Sequence, residues 1–197
     1  MANNRWVDSP NRYGYVTRIL HWIMAALLAW QFLSMACKLV LGRTPLTAFM
    51  VGSHGQIGTV LMLLIVLRVI WAVCNRRTRP PHEQTWMGRG ARAGHGLLYA
   101  LMFIVPALAL VRQYGSDRPL VVFGMRLMEP QPTKIEWLMA PANAVHGLLA
   151  WALLALIAGH VVMVMVHHYR WRDDTVSRMI GKAPEMLSRD SATHHRQ

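Results

Sequence analysis

Four apolar runs decide what this chain can fold into: Ile19 to about Cys37, His54 to Cys74, Gly94 to Val111, and Ala144 to Val166, each about 18 to 23 residues long. As helices rising ~1.5 Å per residue, all four can cross a hydrocarbon core ~30 Å thick. In lipid the backbone must satisfy its own hydrogen bonds, and runs of this length without period-2 alternation exclude a barrel. Composition agrees, with 54% hydrophobic residues and 15% charged, against roughly 25% charged in soluble domains. The predicted fold class is an all-α membrane protein, a four-transmembrane-helix bundle. Residues 1–18 form an N-terminal segment, 19–168 the membrane domain and 169–197 a C-terminal tail.

The net charge of +12 would suggest nucleic acid in a soluble chain, but topology accounts for it. Arg5, Arg12 and Arg18 precede the first run. Arg76, Arg77, Arg79, Arg89 and Arg92 lie between the second and third, and Arg170, Arg172, Arg178 and Lys182 follow the fourth. With an even number of crossings these segments share one side, which the positive-inside rule makes the cytoplasm. Both termini are expected there, with the lipid bilayer and not nucleic acid as partner. The other side holds Lys38, Arg43, Arg112, Arg118, Arg126 and Lys134.

LSMACK ends the first run with small residues, as a signal peptide would. Eighteen mostly polar residues precede that run, however, and it exceeds an h-region of ~7–15 residues, so it is expected to be retained. Cys37 and Cys74 fall at opposite membrane faces and cannot form a disulfide with each other. No C-x-x-C-H is present for covalent haem attachment. The first eighteen residues and the last fifteen or so are expected to be loosely ordered. Pro80 and Pro81 mark a connector, Pro106 a local kink, and the outer segment Arg112 to Pro141 a loop that packs over a site. No repeat of the inverted-transporter kind is visible.

The histidines carry the chemistry. His146 and His160, fourteen residues apart, lie about 21 Å apart along a helix and within about 40° of one face. Alternating the helix directions puts His54 and His146 at an outer level, and His21, His95 and His160 at an inner one. A hydrogen-bonded core ring is the plainer reading of any single histidine, but ionisable groups inside membrane helices are costly and are functional candidates by default. Two levels, each with at least two imidazoles, are what two haems stacked across a bundle need, because neutral imidazole is a standard axial ligand and bundle cores hold cofactors between facing helices. Glycines beside His54, His95, His146 and His160 leave room for a flat macrocycle, though glycine is also common where membrane helices approach closely. Spacing leaves His21 and His95 open as the inner partner. His167 and His168 are expected to be interfacial rings. Arg68, inside the second run, either pairs with a haem propionate or snorkels to the headgroups. The fourteen methionines and eight tryptophans are expected to act as packing and interface residues. Paired catalytic carboxylates, a Walker loop, a dinucleotide fingerprint and H-E-x-x-H are all lacking.

YxxxxRILHW, GSHGQIG, AGHGLLYALMFIVP, VHGLLAWALLALIAGH and HHYRWRDDTVSRM resemble the bacterial cytochrome b561 family from about Tyr13 to Ile180. The resemblance implies a small four-helix protein with two non-covalent b haems held by histidine pairs: His21 with His160 for the inner iron, His54 with His146 for the outer. His95 then lines a site without ligating. It further implies oxidoreductase activity, the oxidation of periplasmic superoxide with electrons passed to ubiquinone, and the outward cations, set against Asp117, Glu129 and Glu136, suit a small anion. A quinone pocket is expected near the inner haem, by His95, His168 and Trp171. Two alternatives stand beside this: a membrane cytochrome b relaying electrons between quinone and a peripheral redox protein, and a proton-coupled transporter with a histidine relay.

Overall fold

A computed structural model of the chain describes residues 5–10, 12–79 and 85–181. Six α-helices follow one another: α1 (Tyr15–Leu41), α2 (Pro45–Gly52), α3 (His54–Cys74), α4 (Trp86–Tyr114), α5 (Glu136–Met165) and α6 (Thr175–Ile180). Four helical stretches are long and apolar enough to cross a membrane: Tyr15–Leu41, Pro45–Cys74, Trp86–Tyr114 and Glu136–Trp171. The expectation of four crossing helices is met. The fold is not wholly helical, because a two-stranded antiparallel hairpin, β1 (Leu120–Val122) and β2 (Met125–Met128), interrupts the segment between α4 and α5.

The hairpin turns on Phe123 and Gly124, at φ 48° and 84°. Positive φ at both central positions is the condition of a two-residue turn that follows the strand twist, and glycine meets it without cost. Val121 opposite Arg126 and Val122 opposite Met125 set the register. Helix α2, also unforeseen, starts from a reciprocal cap: Thr44 Oγ1 accepts from Thr47 N at 3.2 Å, Thr44 N donates to Thr47 Oγ1 at 2.9 Å, and Pro45 fits the first helical position. Beyond α5 the coil widens into a π-turn over Val166–Trp171 before Arg172 reverses it at φ 51°.

α1 packs along α3, α3 along α4, and α4 along α5. Met24, Leu61 and Ile65 form the buried centre, with Leu28, Tyr99 and Met102 against it. Few side chains are enclosed, and residues such as Val40 and Leu148 lie 82% and 70% exposed, as suits helices whose apolar faces meet lipid.

Two expectations are corrected at the termini end of the bundle. The first helix starts at Tyr15, not Ile19, and the segment before it is tied down. Gly14 N and Thr17 Oγ1 both donate to Asp8 Oδ1, at 2.8 and 2.7 Å. A Cβ on Gly14 would lie 2.5 Å from the carbonyl oxygen of Trp6, so only glycine lets the chain double back here. At the other terminus α6 returns to this end, where the Arg18 guanidinium donates to the carbonyl of Ile180. Pro80, Pro81 and the tail beyond residue 181 lie outside the described residues. Cys37 and Cys74 are both free thiols. α4 runs through Pro106 as one helix.

Candidate functional site: two histidine levels

The helices bring the predicted histidines together at both ends. At the hairpin end, His54 opens α3 and faces His146 from α5, with ring centres 6.4 Å apart. At the termini end, His21 from α1 and His160 from α5 also stand 6.4 Å apart, and His95 from α4 approaches His160 to 5.3 Å. An imidazole nitrogen binds a first-row metal at about 2.0–2.1 Å with its ring centre about 1.1 Å behind, so two rings on opposite sides of one iron stand about 6.3 Å apart. Both 6.4 Å pairs meet that condition. Among the described residues no three His, Cys, Asp or Glu side chains converge as a bare ion would need. Paired imidazoles suit a group that brings its own equatorial donors.

Hydrogen bonds orient the rings. His146 Nδ1 lies 3.1 Å from the carbonyl oxygen of Val105; since a carbonyl can only accept, that nitrogen carries the hydrogen and Nε2 keeps its lone pair. His95 Nδ1 donates likewise to Ala91 O at 2.7 Å, and its ring is exposed. At His54, Gln31 Nε2 donates to the main-chain carbonyl at 3.0 Å. His54 Nδ1 and Gln31 Oε1 are both buried with no hydrogen-bond partner among the described residues. Orphaned buried polar atoms are rare, and here they sit at a histidine that faces a second histidine.

Arg68 is turned inward and does not reach for headgroups. Its Nε donates to Tyr99 Oη at 2.9 Å, its Nη1 to the Thr17 carbonyl at 3.1 Å, and its Nη2 approaches His21 Nδ1 at 3.4 Å. One guanidinium thereby joins α1, α3 and α4 beside the termini-end pair, where it is the cation nearest to those rings by hydrogen bonding.

At the other end, Phe123 N donates to Gln56 Oε1 at 3.3 Å, which ties the hairpin to the first turn of α3, two residues after His54. At the same end of the bundle, an open pocket of about 400 Å³ is lined by Lys38, Arg43, Thr47, Ala48, Val51 and Gly52. Arg126 pairs with Glu129 at 3.2 Å and Lys134 with Asp117 at 3.8 Å. Lys38 and Arg43 have no carboxylate partner among the described residues.

Sequence reasoning missed several partners. His167, read as a plain interfacial ring, donates from Nδ1 to Asp173 Oδ2 at 2.5 Å and stacks edge-on against Trp171 at 4.6 Å. Burial pushes the Asp173 carboxyl up, but bonds from His167 and from Thr175 N (3.0 Å) outweigh it and hold it below the usual carboxylate range. Asp8, Thr17, Gln31 and Tyr99 were also passed over. Each is an isolated polar residue whose partner lies on another segment of the chain, and no spacing pattern signals that.

Apolar helices with facing imidazoles between them fit a membrane protein that holds haem in its bundle core. The family model for prokaryotic cytochrome b561 matches residues 12–182, and the chain belongs to that family. It is 29% identical over 187 residues to cytochrome b561 homolog 2 of Escherichia coli (strain K12), covering 90% of this chain and 96% of the relative. It is 24% identical over 168 residues to the probable superoxide oxidase CybB of Yersinia pestis, covering 83% and 92%. Cytochrome b561 homolog 1 of E. coli (strain K12) is 24% identical over 176 residues, covering 86% and 97%. The protein is thus a membrane b-type cytochrome that works in electron transfer.

Proposed function

We propose that the chain holds two non-covalent b haems, His21 with His160 binding one iron and His54 with His146 the other, and that it carries electrons from superoxide at the hairpin end to ubiquinone at the termini end. The observation that carries this reading is the equal 6.4 Å separation of two histidine pairs at opposite ends of one bundle. His21 is the better partner for His160, because the His95 ring stands closer, at 5.3 Å, than a shared iron permits. Orientation follows from charge: the described cations after α3 and after α5 gather at the termini end, which the positive-inside rule puts in the cytoplasm of a bacterial inner membrane.

Haem b, when bound, supplies a one-electron couple at each level. The residues do the rest. His21 with His160 and His54 with His146 would hold the two haems, and with two imidazoles given to each iron the electrons would move without bond formation to an oxygen species. His146 is ready for ligation, with its hydrogen held on Nδ1 by Val105 O. His21 is not, because Arg68, which can only donate, approaches its Nδ1. Were His21 to ligate through Nε2, its hydrogen would sit on Nδ1, and one arm of Arg68 would be free to pair with a propionate carboxylate. At the hairpin end Lys38 and Arg43, without a carboxylate partner among the described residues, attract a small anion. Two superoxide anions each give up one electron and leave as dioxygen; ubiquinone takes those two electrons with two protons and becomes ubiquinol. The exposed His95, whose Nε2 remains an acceptor, suits a quinol hydroxyl and forms the proposed quinone site with His168 and Trp171. The superoxide step is assigned in the name of a relative 24% identical to this chain.

The test uses the purified full-length protein in detergent. Two haems per chain with reduced-b spectra, and quinone-dependent consumption of a superoxide flux, are the expected results. A folded, colourless preparation overturns the haem reading. Two haems without superoxide turnover overturn only the donor, and favour relay from a peripheral redox protein.

A further inference from the structure

Asp8 is an unusual residue for a segment that sequence reasoning leaves loose. Its side chain is fully buried, and its two oxygens accept three hydrogen bonds: from Gly14 N and Thr17 Oγ1 at Oδ1, and from Arg79 Nε at Oδ2, at 3.0 Å. A buried carboxylate is tolerated only when it is paired and hydrogen-bonded this fully. The bonds also lead somewhere. Thr17 Oγ1, which donates to Asp8, accepts from Trp71 Nε1 at 2.9 Å. The Thr17 carbonyl accepts from Arg68 Nη1, and Arg68 in turn reaches His21 Nδ1 and Tyr99 Oη. Thr17 and His21 are one helical turn apart on α1, so the residue that Asp8 grips carries the histidine on its next turn.

We propose that Asp8, together with Arg79, is a positioning residue of the termini-end haem site: it fixes Thr17, and through Thr17 it holds Trp71 and Arg68 in place around His21. This rests on the two-haem reading above. A carboxylate that merely pinned the chain terminus would end its hydrogen bonds locally, in the turn of Gly14. Here the chain of bonds crosses α1 and α3 and ends on a candidate iron ligand. Asp8 and Arg79 also bring a formal negative and a formal positive charge to one end of the bundle, while the His54–His146 pair lies at the other end. Charge and hydrogen bonding around a redox centre set its potential.

The experiment is a spectroscopic redox titration of the haem-loaded full-length protein, comparing wild type with Asp8→Asn, Arg79→Gln and the double variant. The His146→Ala protein, which keeps only the termini-end haem, identifies which transition belongs to which level. Asn keeps the shape of Asp and loses its charge. Asp8→Asn is expected to raise the potential of the termini-end haem, favouring its ferrous form by threefold to about tenfold at a fixed ambient potential, where tenfold is about 59 mV for one electron. Arg79→Gln is expected to lower it, and the double variant to fall between. The hairpin-end haem stays within twofold throughout. Selective loss of the termini-end haem in Asp8→Asn, with the other retained, also supports the role. Equal shifts of both haems, no shift, shifts of the same sign in both single variants, or loss of both haems overturn it. Fewer than two haems in the wild type overturns the underlying two-haem reading, and that result is visible before any variant is compared.

Discussion

His54 and His146 face each other across the hairpin end with ring centres 6.4 Å apart, although 92 positions separate them in the chain. Among the described residues, His54 Nδ1 is buried without a hydrogen-bond partner. Such an arrangement is costly unless something occupies it. His54→Ala and His146→Ala are therefore expected to lose the same haem, and His21→Ala and His160→Ala the other, each lowering the haem-to-protein ratio from two toward one. His95→Ala is expected to keep both. Extraction and quantitation of haem checks this, and a His95→Ala protein with one haem would move the iron ligand from α1 to α4.

Arg68 puts a permanent positive charge beside His21 and binds the Thr17 carbonyl and Tyr99 Oη. A cation near an iron centre stabilises the ferrous form. Arg68→Leu should lower the potential of the termini-end haem alone, by up to about tenfold in its ferrous-to-ferric ratio. It also removes the hydrogen bonds to the Tyr99 hydroxyl and the Thr17 carbonyl, so the thermal midpoint should fall as well. Arg68→Lys should recover part of the potential and little of the stability, because an ammonium cannot span three partners in one plane.

The parts that sequence made legible share a cause. The crossing helices and the two histidine levels follow from run length and helix periodicity, which are local properties, and the positions of His21, His54, His146 and His160 needed only alternating helix directions. What stayed hidden depends on contacts between distant residues or on turn geometry. Phe123–Gly124 carries a weak turn signal within an apolar stretch, so the hairpin could not be anticipated. Asp8 lies 71 positions from Arg79, and Tyr99 and Thr17 are brought to Arg68 by other helices, so sequence leaves that residue between a propionate and the headgroups.

Lys38 and Arg43 flank the cavity at the hairpin end without carboxylate partners among the described residues. If they steer an anionic donor, their effect is electrostatic and acts on encounter. Replacing both by Gln should lower kcat/KM for superoxide about threefold to tenfold at low ionic strength. The deficit should vanish near 0.5 M salt, where the screening length is only a few ångströms. Stopped-flow reduction of the haems by a superoxide pulse measures this, and a deficit independent of salt would assign the two cations a structural role instead.

Asp173 lies outside the crossing segments, where its carboxyl is held below its ordinary value of 3.8 by His167 and Thr175. A carboxyl depressed on folding contributes stability that is fully present above its unfolded pKa and is lost as pH falls through the folded one. The contact between the π-turn and the start of α6 should therefore hold at neutral pH and loosen only below about pH 4. The two side chains are 28% and 39% exposed, which limits the contribution to the range of solvent-screened pairs, about 0.2–1 kcal/mol. Asp173→Asn should speed amide exchange in residues 172–181 about twofold to fivefold at neutral pH. Its difference from wild type should close as the wild-type carboxyl protonates in acid. A difference that persists unchanged to pH 2 would show that Asp173 acts through its shape, as the acceptor for Thr175 N, and not through its charge.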